Sequence, residues 1–186
     1  MELKNKRIIV TGGSDGIGRH ICLKLAAVGT RLAILGRDAD RLAAVEAECV
    51  AAGASEAIGI ACDIQNPDAI SGAVEQVTAA FGGLDILINT AGIWHKTGPL
   101  DEIPPQLLQA TVQTNLTGLM QITQAAIPAL RANDEGIILN VVSKSGVVAQ
   151  AGQSVYTATK YGVRGFTEVL KADEERLIPE LKAEFG

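Results

Sequence analysis

A tyrosine and a lysine four residues apart, Tyr156 and Lys160, close the stretch 143–160, which reads SKSGVVAQAGQSVYTATK. If Tyr156 begins a helix, Lys160 lies one turn further on the same face, and an ammonium group stands beside a phenol. An ordinary tyrosine ionises near ~10 and is a poor proton donor or base at neutral pH. A positive charge ~4 Å away, at an effective dielectric of ~20, favours the phenolate by about 4 kcal/mol before desolvation is counted. The pair therefore suits proton transfer to or from a substrate oxygen. Tyr and Lys at this spacing are also common on solvated helices, so the rest of the chain must decide between the two readings.

Phosphate-binding chemistry is written earlier in the chain. Residues 7–10 are a short apolar run, followed by TGGSDGIG at 11–18 and an amphipathic stretch with Ile21, Leu25 and Val28 at helical spacing. Strand, glycine turn and helix in that order bring backbone N–H groups and the positive end of a helix dipole close to an anion. Gly12, Gly16 and Gly18 supply the close approach, although any tight strand-to-helix connection uses glycine too. Residues 31–35 form a second strand that ends in Gly36 and Arg37. A carboxylate at this point favours a free ribose 2′-hydroxyl, whereas an arginine accommodates a 2′-phosphate. Arg37 thus favours NADP over NAD, the alternative being an arginine that caps or solvates a loop. Asp15, inside the glycine turn, sets an opposing charge near the same phosphate.

The positioning elements follow from hydrophobic spacing. Residues 41–52 read as a helix and 57–62 as a third strand, closed by Asp63, which either meets an adenine amino group or caps the next turn. A helix over 67–81 carries Ile70, Val74, Val77 and Phe81 as core, and the fourth strand, 84–89, ends in Asn89, Thr90, Ala91 and Gly92. Small residues there let a cofactor lie across the strand end. Trp94 and His95 follow in a loop; the only tryptophan has either a substrate role or a chance placement. Pro104 and Pro105 open a long helix with Leu108, Val112, Leu116, Leu119 and Ile122 on one face. Asn115 interrupts it with poor helix propensity, which marks a role or simple surface exposure. Residues 136–142 form the fifth strand, feeding Ser143. Five strands alternating with helices imply an α/β protein with a parallel sheet, right-handed crossovers and a ligand site beyond the carboxyl ends of the strands.

Bulk properties narrow the functional classes. A chain of 186 residues suits one domain, 1–186, with a helical tail at 172–186 in which Pro179 breaks the helix and Leu177, Leu181 and Phe185 form an apolar seam. Its 47% hydrophobic, 20% charged composition is that of a globular protein. With 16 basic against 21 acidic residues and a net charge of −5, no basic run follows a phosphate backbone, so nucleic acid is not an expected partner. Apolar runs are too short to span a bilayer and the N-terminus lacks a signal-peptide core, so the expected location is cytoplasmic, without membrane association. Cys22, Cys49 and Cys62 are odd in number and widely spaced, which favours buried free thiols over a disulfide or metal site.

Taken together, TGGSDGIG, Asp63, Asn89 to Gly92, Asn115 in TNLTG, Ser143 ahead of Tyr156, and the YxxxK of Tyr156 and Lys160 resemble the short-chain dehydrogenase/reductase family, in its tyrosine-dependent oxidoreductase branch. The resemblance runs from Arg7 to about Lys171. It implies a three-layer, Rossmann-type, doubly wound sheet of about five strands in the order 3-2-1-4-5, forming a dinucleotide-binding domain. It implies an NAD(P)-dependent oxidoreductase that interconverts a carbonyl and a secondary alcohol. Tyr156 is then the general acid or base, Lys160 stabilises its phenolate and holds the nicotinamide ribose, Ser143 hydrogen-bonds the substrate oxygen, and Asn115, at a helix kink, holds a proton-relaying water. The dinucleotide falls to Gly12, Ser14, Asp15, Gly16, Ile17, Gly18, Arg37, Asp63, Ile64, Asn89, Ala91 and Gly92, with Tyr156 and Lys160. NADPH is the expected cofactor and NAD a possible one; no metal is implied. Trp94, His95, Lys96, Gln150 and Gln153 are expected to border the pocket for a small carbonyl or alcohol substrate.

The sequence departs from the family in two places. Thr90 stands where a second asparagine is usual, keeping a hydroxyl to serve part of an inter-strand tether. The sixth strand, Pro-Gly turn, substrate lid and seventh strand that follow the Tyr-Lys helix are not recognisable. This implies a sheet edge of buried character left open, or covered by the tail or a partner. The alternative function is a catalytically impaired dinucleotide-binding or interaction module. Homodimers or homotetramers are expected through the helices carrying Asn115 and Tyr156, with Val163, Phe166 and Leu170 serving either that face or the core.

Overall fold

The computed structural model describes residues 2–133 and 136–177, with side chains given through 173. They gather in two compact units, Met1–Ile93 with Thr117–Val141, and Trp94–Leu116 with Val142–Gly186.

The first unit holds the sheet. Strands β1 (Arg7–Thr11), β2 (Arg31–Gly36), β3 (Glu56–Ala61), β4 (Ile86–Asn89) and β5 (Ile137–Asn140) alternate with helices α1 (Gly16–Ala26), α2 (Ala39–Ala52), α3 (Pro67–Phe81) and, before β5, α5 (Leu119–Arg131). The order is β3-β2-β1-β4-β5, as expected, and every pairing is parallel. Alternate side chains serve opposite faces. Ile9, Ala33 and Leu87 meet α3 and α5, whereas Ile8, Val10, Leu32, Ile34, Ile86 and Ile88 meet α1 and α2. Strands buried on both faces carry continuous apolar runs, which is why these were legible.

The helix ends are set by local chemistry. Asp38 caps α2 and Asn66 caps α3 through side-chain oxygens that accept backbone N–H groups, with Pro67 in the first turn of α3. In α1 the expected Ile21 and Leu25 pack partly buried against the core. Gly18, Cys22 and Ala26 are buried, while Val28 is 49% exposed and lies beyond the helix.

Among the described residues, neither sheet edge has a further neighbouring strand. At the β3 edge, the Glu46 carboxylate of α2 accepts from the Gly59 N–H at 2.6 Å, which blunts the edge. At the other edge β5 is incompletely covered: Ile137 and Ile138 are half-buried and Leu139 is 46% exposed, in contrast to the fully buried β4.

The second unit contains α4 (Pro105–Val112), the start of the wide π-helical turn Gln113–Gly118, a 3-10 turn at Lys144–Gly146, and α6 (Ser154–Leu177). The long helix expected from Pro104 is thus divided by the π turn before α5 begins. Helix α6 covers the start of the expected tail; Pro179, Leu181 and Phe185 lie outside the described residues. No helix among the described residues is long and apolar enough to cross a membrane.

Candidate functional site

Asn115, Ser143, Tyr156 and Lys160 all belong to the second unit. Gln153 begins α6 as the residue whose carbonyl accepts the first helical bond, from Thr157 N at 2.8 Å. This places Tyr156 in the first turn and Lys160 in the second. Lys160 Nζ lies 5.8 Å from the centre of the Tyr156 ring. Lys160 is 6% exposed, and burial pushes its ammonium pKa down, because a low-dielectric surrounding disfavours the charged form.

Ser143 precedes the 3-10 turn, and its Oγ accepts from Ser145 N at 3.1 Å, which leaves its own proton free to donate. Gly146 seats the turn on α6. A Cβ there would stand 3.0 Å from the Lys160 carbonyl oxygen and collide with Val142 Cγ1. Asn115 is fully buried, which removes surface exposure as the reason for a polar residue in this helix. It lies inside the π turn, and its Nδ2 is 3.5 Å from Thr159 Oγ1, one residue before Lys160. Wide turns of this kind free backbone groups from the regular ladder.

The dinucleotide candidates up to Gly92 belong to the first unit. Gly12 and Gly16 hold left-handed backbone, and a Cβ at Gly18 would overlap the Gly12 carbonyl, so this turn admits only a bare backbone. Asp15 caps α1, and Ile17 is exposed. Arg41 Nη1 donates to Asp15 Oδ2 at 2.9 Å, and its Nε lies 3.4 Å from Asp38 Oδ2. The acid in the turn therefore has its charge countered. Ser14 Oγ occupies the space a side chain at position 36 would take. Arg37 is exposed and has no hydrogen-bond or ion-pair partner among the described residues.

Asp63 Oδ1 accepts from Gln65 N at 3.0 Å, so the turn-capping alternative is realised, with its second oxygen outside that bond. Ile64 is 8% exposed and packs in the core, leaving only its backbone for a ligand. The Asn89 amide donates to Thr123 Oγ1 at 3.1 Å and to Asn140 Oδ1 at 2.9 Å. Both of its protons are spent on the protein, so its side chain clamps strand ends. Thr90 Oγ1 donates to the Thr11 carbonyl, supplying the tether at the place of the usual asparagine. Ala91 and Gly92 follow with little or no side chain.

The loop residue His95 is 5% exposed, and its Nδ1 faces the Lys96 carbonyl at 3.0 Å. A carbonyl only accepts, so Nδ1 carries a proton, while Nε2 is buried without a hydrogen-bond partner among the described residues. Trp94 is 60% exposed. Val163 is fully buried within the chain, which assigns it to the core. The sequence reading missed Arg41 and Ser145. The signal for Arg41 was its spacing from Asp38, and that for Ser145 its place two residues after Ser143.

The residues present fit a nicotinamide dinucleotide: a bare glycine turn at a helix N-terminus and an unpartnered arginine after β2. No group of three or more potential metal ligands occurs among the described residues. A sequence model of the short chain dehydrogenases matches residues 6–177. The chain is 38% identical over 169 residues to D-beta-hydroxybutyrate dehydrogenase of Cupriavidus necator, spanning 90% of this chain and 64% of that relative. A short chain dehydrogenase from Burkholderia cenocepacia J2315, solved in complex with NADP, is similar at 40% identity and a TM-score of 0.85, over 93% of this chain and 70% of that one. NAD+-bound xylitol dehydrogenase is similar at 28% identity and a TM-score of 0.88, over 93% and 66% of the two chains. A match across nearly the whole sequence, joined to the same sheet order and fold, establishes that the chain belongs to the short-chain dehydrogenase/reductase family.

Proposed function

We propose that this chain is an oxidoreductase that interconverts a small carbonyl compound and its secondary alcohol, uses NADP in preference to NAD, and employs Tyr156 as general acid and base. The observation that carries this reading is the buried Lys160 one turn from Tyr156, with the Ser143 turn seated on the same helix by Gly146. A buried ammonium is costly to a fold, and a purely structural helix has no need of it.

In reduction, the Ser143 hydroxyl and the Tyr156 hydroxyl donate to the substrate oxygen. Tyr156 transfers its proton as negative charge develops there, and Lys160 stabilises the phenolate left behind. Asn115, buried beside Thr159, positions the proton path toward Lys160. A nicotinamide dinucleotide, when bound, would supply the hydride. The glycine turn and the α1 N-terminus would hold its pyrophosphate, and Arg37 would meet the 2′-phosphate. We place this activity in the cytoplasm and in a homodimer or homotetramer.

The test is NADPH absorbance followed over a panel of carbonyl compounds. Turnover that falls by about 10²–10⁴-fold in Tyr156→Phe supports the reading; no turnover with any compound overturns it. The incompletely covered β5 favours a second reading, a dinucleotide-binding or interaction module without catalysis. Calorimetry would report that as NADPH binding without turnover.

A further inference from the structure

Within the second unit, the turn that carries Ser143 lies along one face of α6. Gln153, Tyr156 and Lys160 follow one another at spacings of three and four, which sets their side chains in a row on that helix. The turn is fastened at both ends of the row. Before Tyr156, the buried Ser145 donates through Oγ to Gln153 Oε1 at 3.1 Å; beyond it, Gly146 lies against the Lys160 carbonyl. One residue further along the helix, the Tyr161 hydroxyl donates to the Val147 carbonyl at 2.7 Å.

The tie from Tyr161 sits where little else holds the chain. Residues 147–151 are all exposed, so apolar burial does not keep the exit of the turn on the helix. The segment is next held at Gly152, whose carbonyl accepts from Gly98 N at 3.0 Å. Backbone bonds inside the turn do not reach α6: Val147 N and Val148 N donate to the Lys144 carbonyl at 3.0 and 2.9 Å, and Gly146 N donates to the Ser143 carbonyl at 2.8 Å. These bonds make the turn one stiff piece, so a hold on Val147 is also a hold on Ser143 at its other end. Tyr161 is itself exposed, which leaves the hydroxyl, rather than burial of the ring, as its contribution.

We propose that Tyr161 is a positioning residue for carbonyl reduction, pinning Val147 to α6 so that the Ser143 hydroxyl stays within hydrogen-bond reach of the oxygen that Tyr156 protonates. This rests on the oxidoreductase reading above and adds a residue to it. Tyr161 takes no part in the proton transfer, because its own proton is engaged with the Val147 carbonyl; it acts through Ser143. With the exit of the turn released, Ser143 drifts, and a donor displaced by a fraction of an ångström stabilises the forming alkoxide less while ground-state binding changes little. The loss therefore falls on kcat more than on KM.

Tyr161→Phe deletes the hydroxyl and keeps the ring. Hydrogen exchange read by NMR needs no substrate: the Val147 and Val148 amides should exchange about three- to tenfold faster in the variant, the scale of one hydrogen bond, with the α6 amides unchanged. In NADPH-linked ketone reduction kcat should fall by a similar factor, with KM and the NADPH dissociation constant within about twofold of wild type. Against the residual rate of Ser143→Ala the same substitution should have no further effect, since both act through one hydroxyl. Unchanged exchange overturns the tie. Faster exchange with unchanged kcat, or an equal further loss in the Ser143→Ala background, overturns the positioning role and leaves the oxidoreductase reading standing, whereas a wild type that turns over no ketone overturns both. If Tyr161→Phe fails to fold, exchange in the wild type decides: Val147 and Val148 amides that exchange as fast as those of Ala149 and Gln150 overturn the tie.

Discussion

Lys160 Nζ stands 5.8 Å from the centre of the Tyr156 ring, one turn along α6, while its own side chain is almost fully buried. Burial lowers the lysine pKa from 10.5, so the fold bears an ammonium that solvent would hold more readily. Lys160→Met is expected to lower kcat at least about 100-fold at pH 7 while leaving Tm equal to or above that of the wild type. The pH dependence has a definite sign. Between the lowered folded pKa and 10.5 the unfolded chain binds more protons, so this residue's contribution to stability rises with pH in that window and is lost as pH falls through the folded value. Thermal melts of both proteins at neutral and alkaline pH, with kinetics on the same preparations, check this.

Gly146 is the contact on which the Ser143 turn rests. Gly146→Ala places a methyl group 3.0 Å from the Lys160 carbonyl and against Val142, so the turn must lift off α6. A loss of kcat of about tenfold or more is expected, with the NADPH dissociation constant unchanged, because displacement of a reacting group by a fraction of an ångström is costly. Stopped-flow kinetics and NADPH titration separate the two quantities.

Arg37 has no ion-pair partner among the described residues, so its charge is available to a ligand. Arg37→Ala should weaken NADPH by roughly 10–100-fold and leave NADH within about twofold, on the scale of one charge-assisted contact. Calorimetry with both dinucleotides gives the comparison, and equal losses for both would assign Arg37 to the loop alone.

Away from these residues, Asp85 accepts from Arg7 N, Nε and Nη2 at 2.8, 2.8 and 2.7 Å. The Arg7 guanidinium holds the carboxyl pKa below its usual 3.8. Asp85→Ala should destabilise the protein by about 3 kcal/mol at pH 7, since it strands a largely buried guanidinium. The contribution is present above 3.8 and is lost as pH falls through the depressed folded value. Denaturant melts should therefore show the gap between wild type and variant closing in acid.

Much of the candidate site was legible as a pattern because its spacings are local. Tyr156 and Lys160 share a helix face by spacing alone, and the glycine turn is a contiguous run between a strand and a helix. Where reading failed, packing decided. The fully buried residues of α1 are Gly18, Cys22 and Ala26, while the expected Ile21 and Leu25 pack against the same core only partly buried. The long helix expected after Pro104 carries a π turn at Asn115, a kink that the family resemblance implied and the hydrophobic periodicity did not.

By itself the sequence determined the alternation of buried strands with helices, and the spacing of the candidate acid-base residues; the strand order followed from the resemblance to the family. Only the tertiary structure decided which polar groups remain available. Asn89 has both amide protons taken by Thr123 and Asn140, Asp15 has its charge met by Arg41, and Gln153 has its oxygen taken by Ser145. Each of these partners lies on another element or beyond a loop. Hydrogen-bond capacity is consumed pair by pair in space, and a linear pattern of residue types does not encode who meets whom.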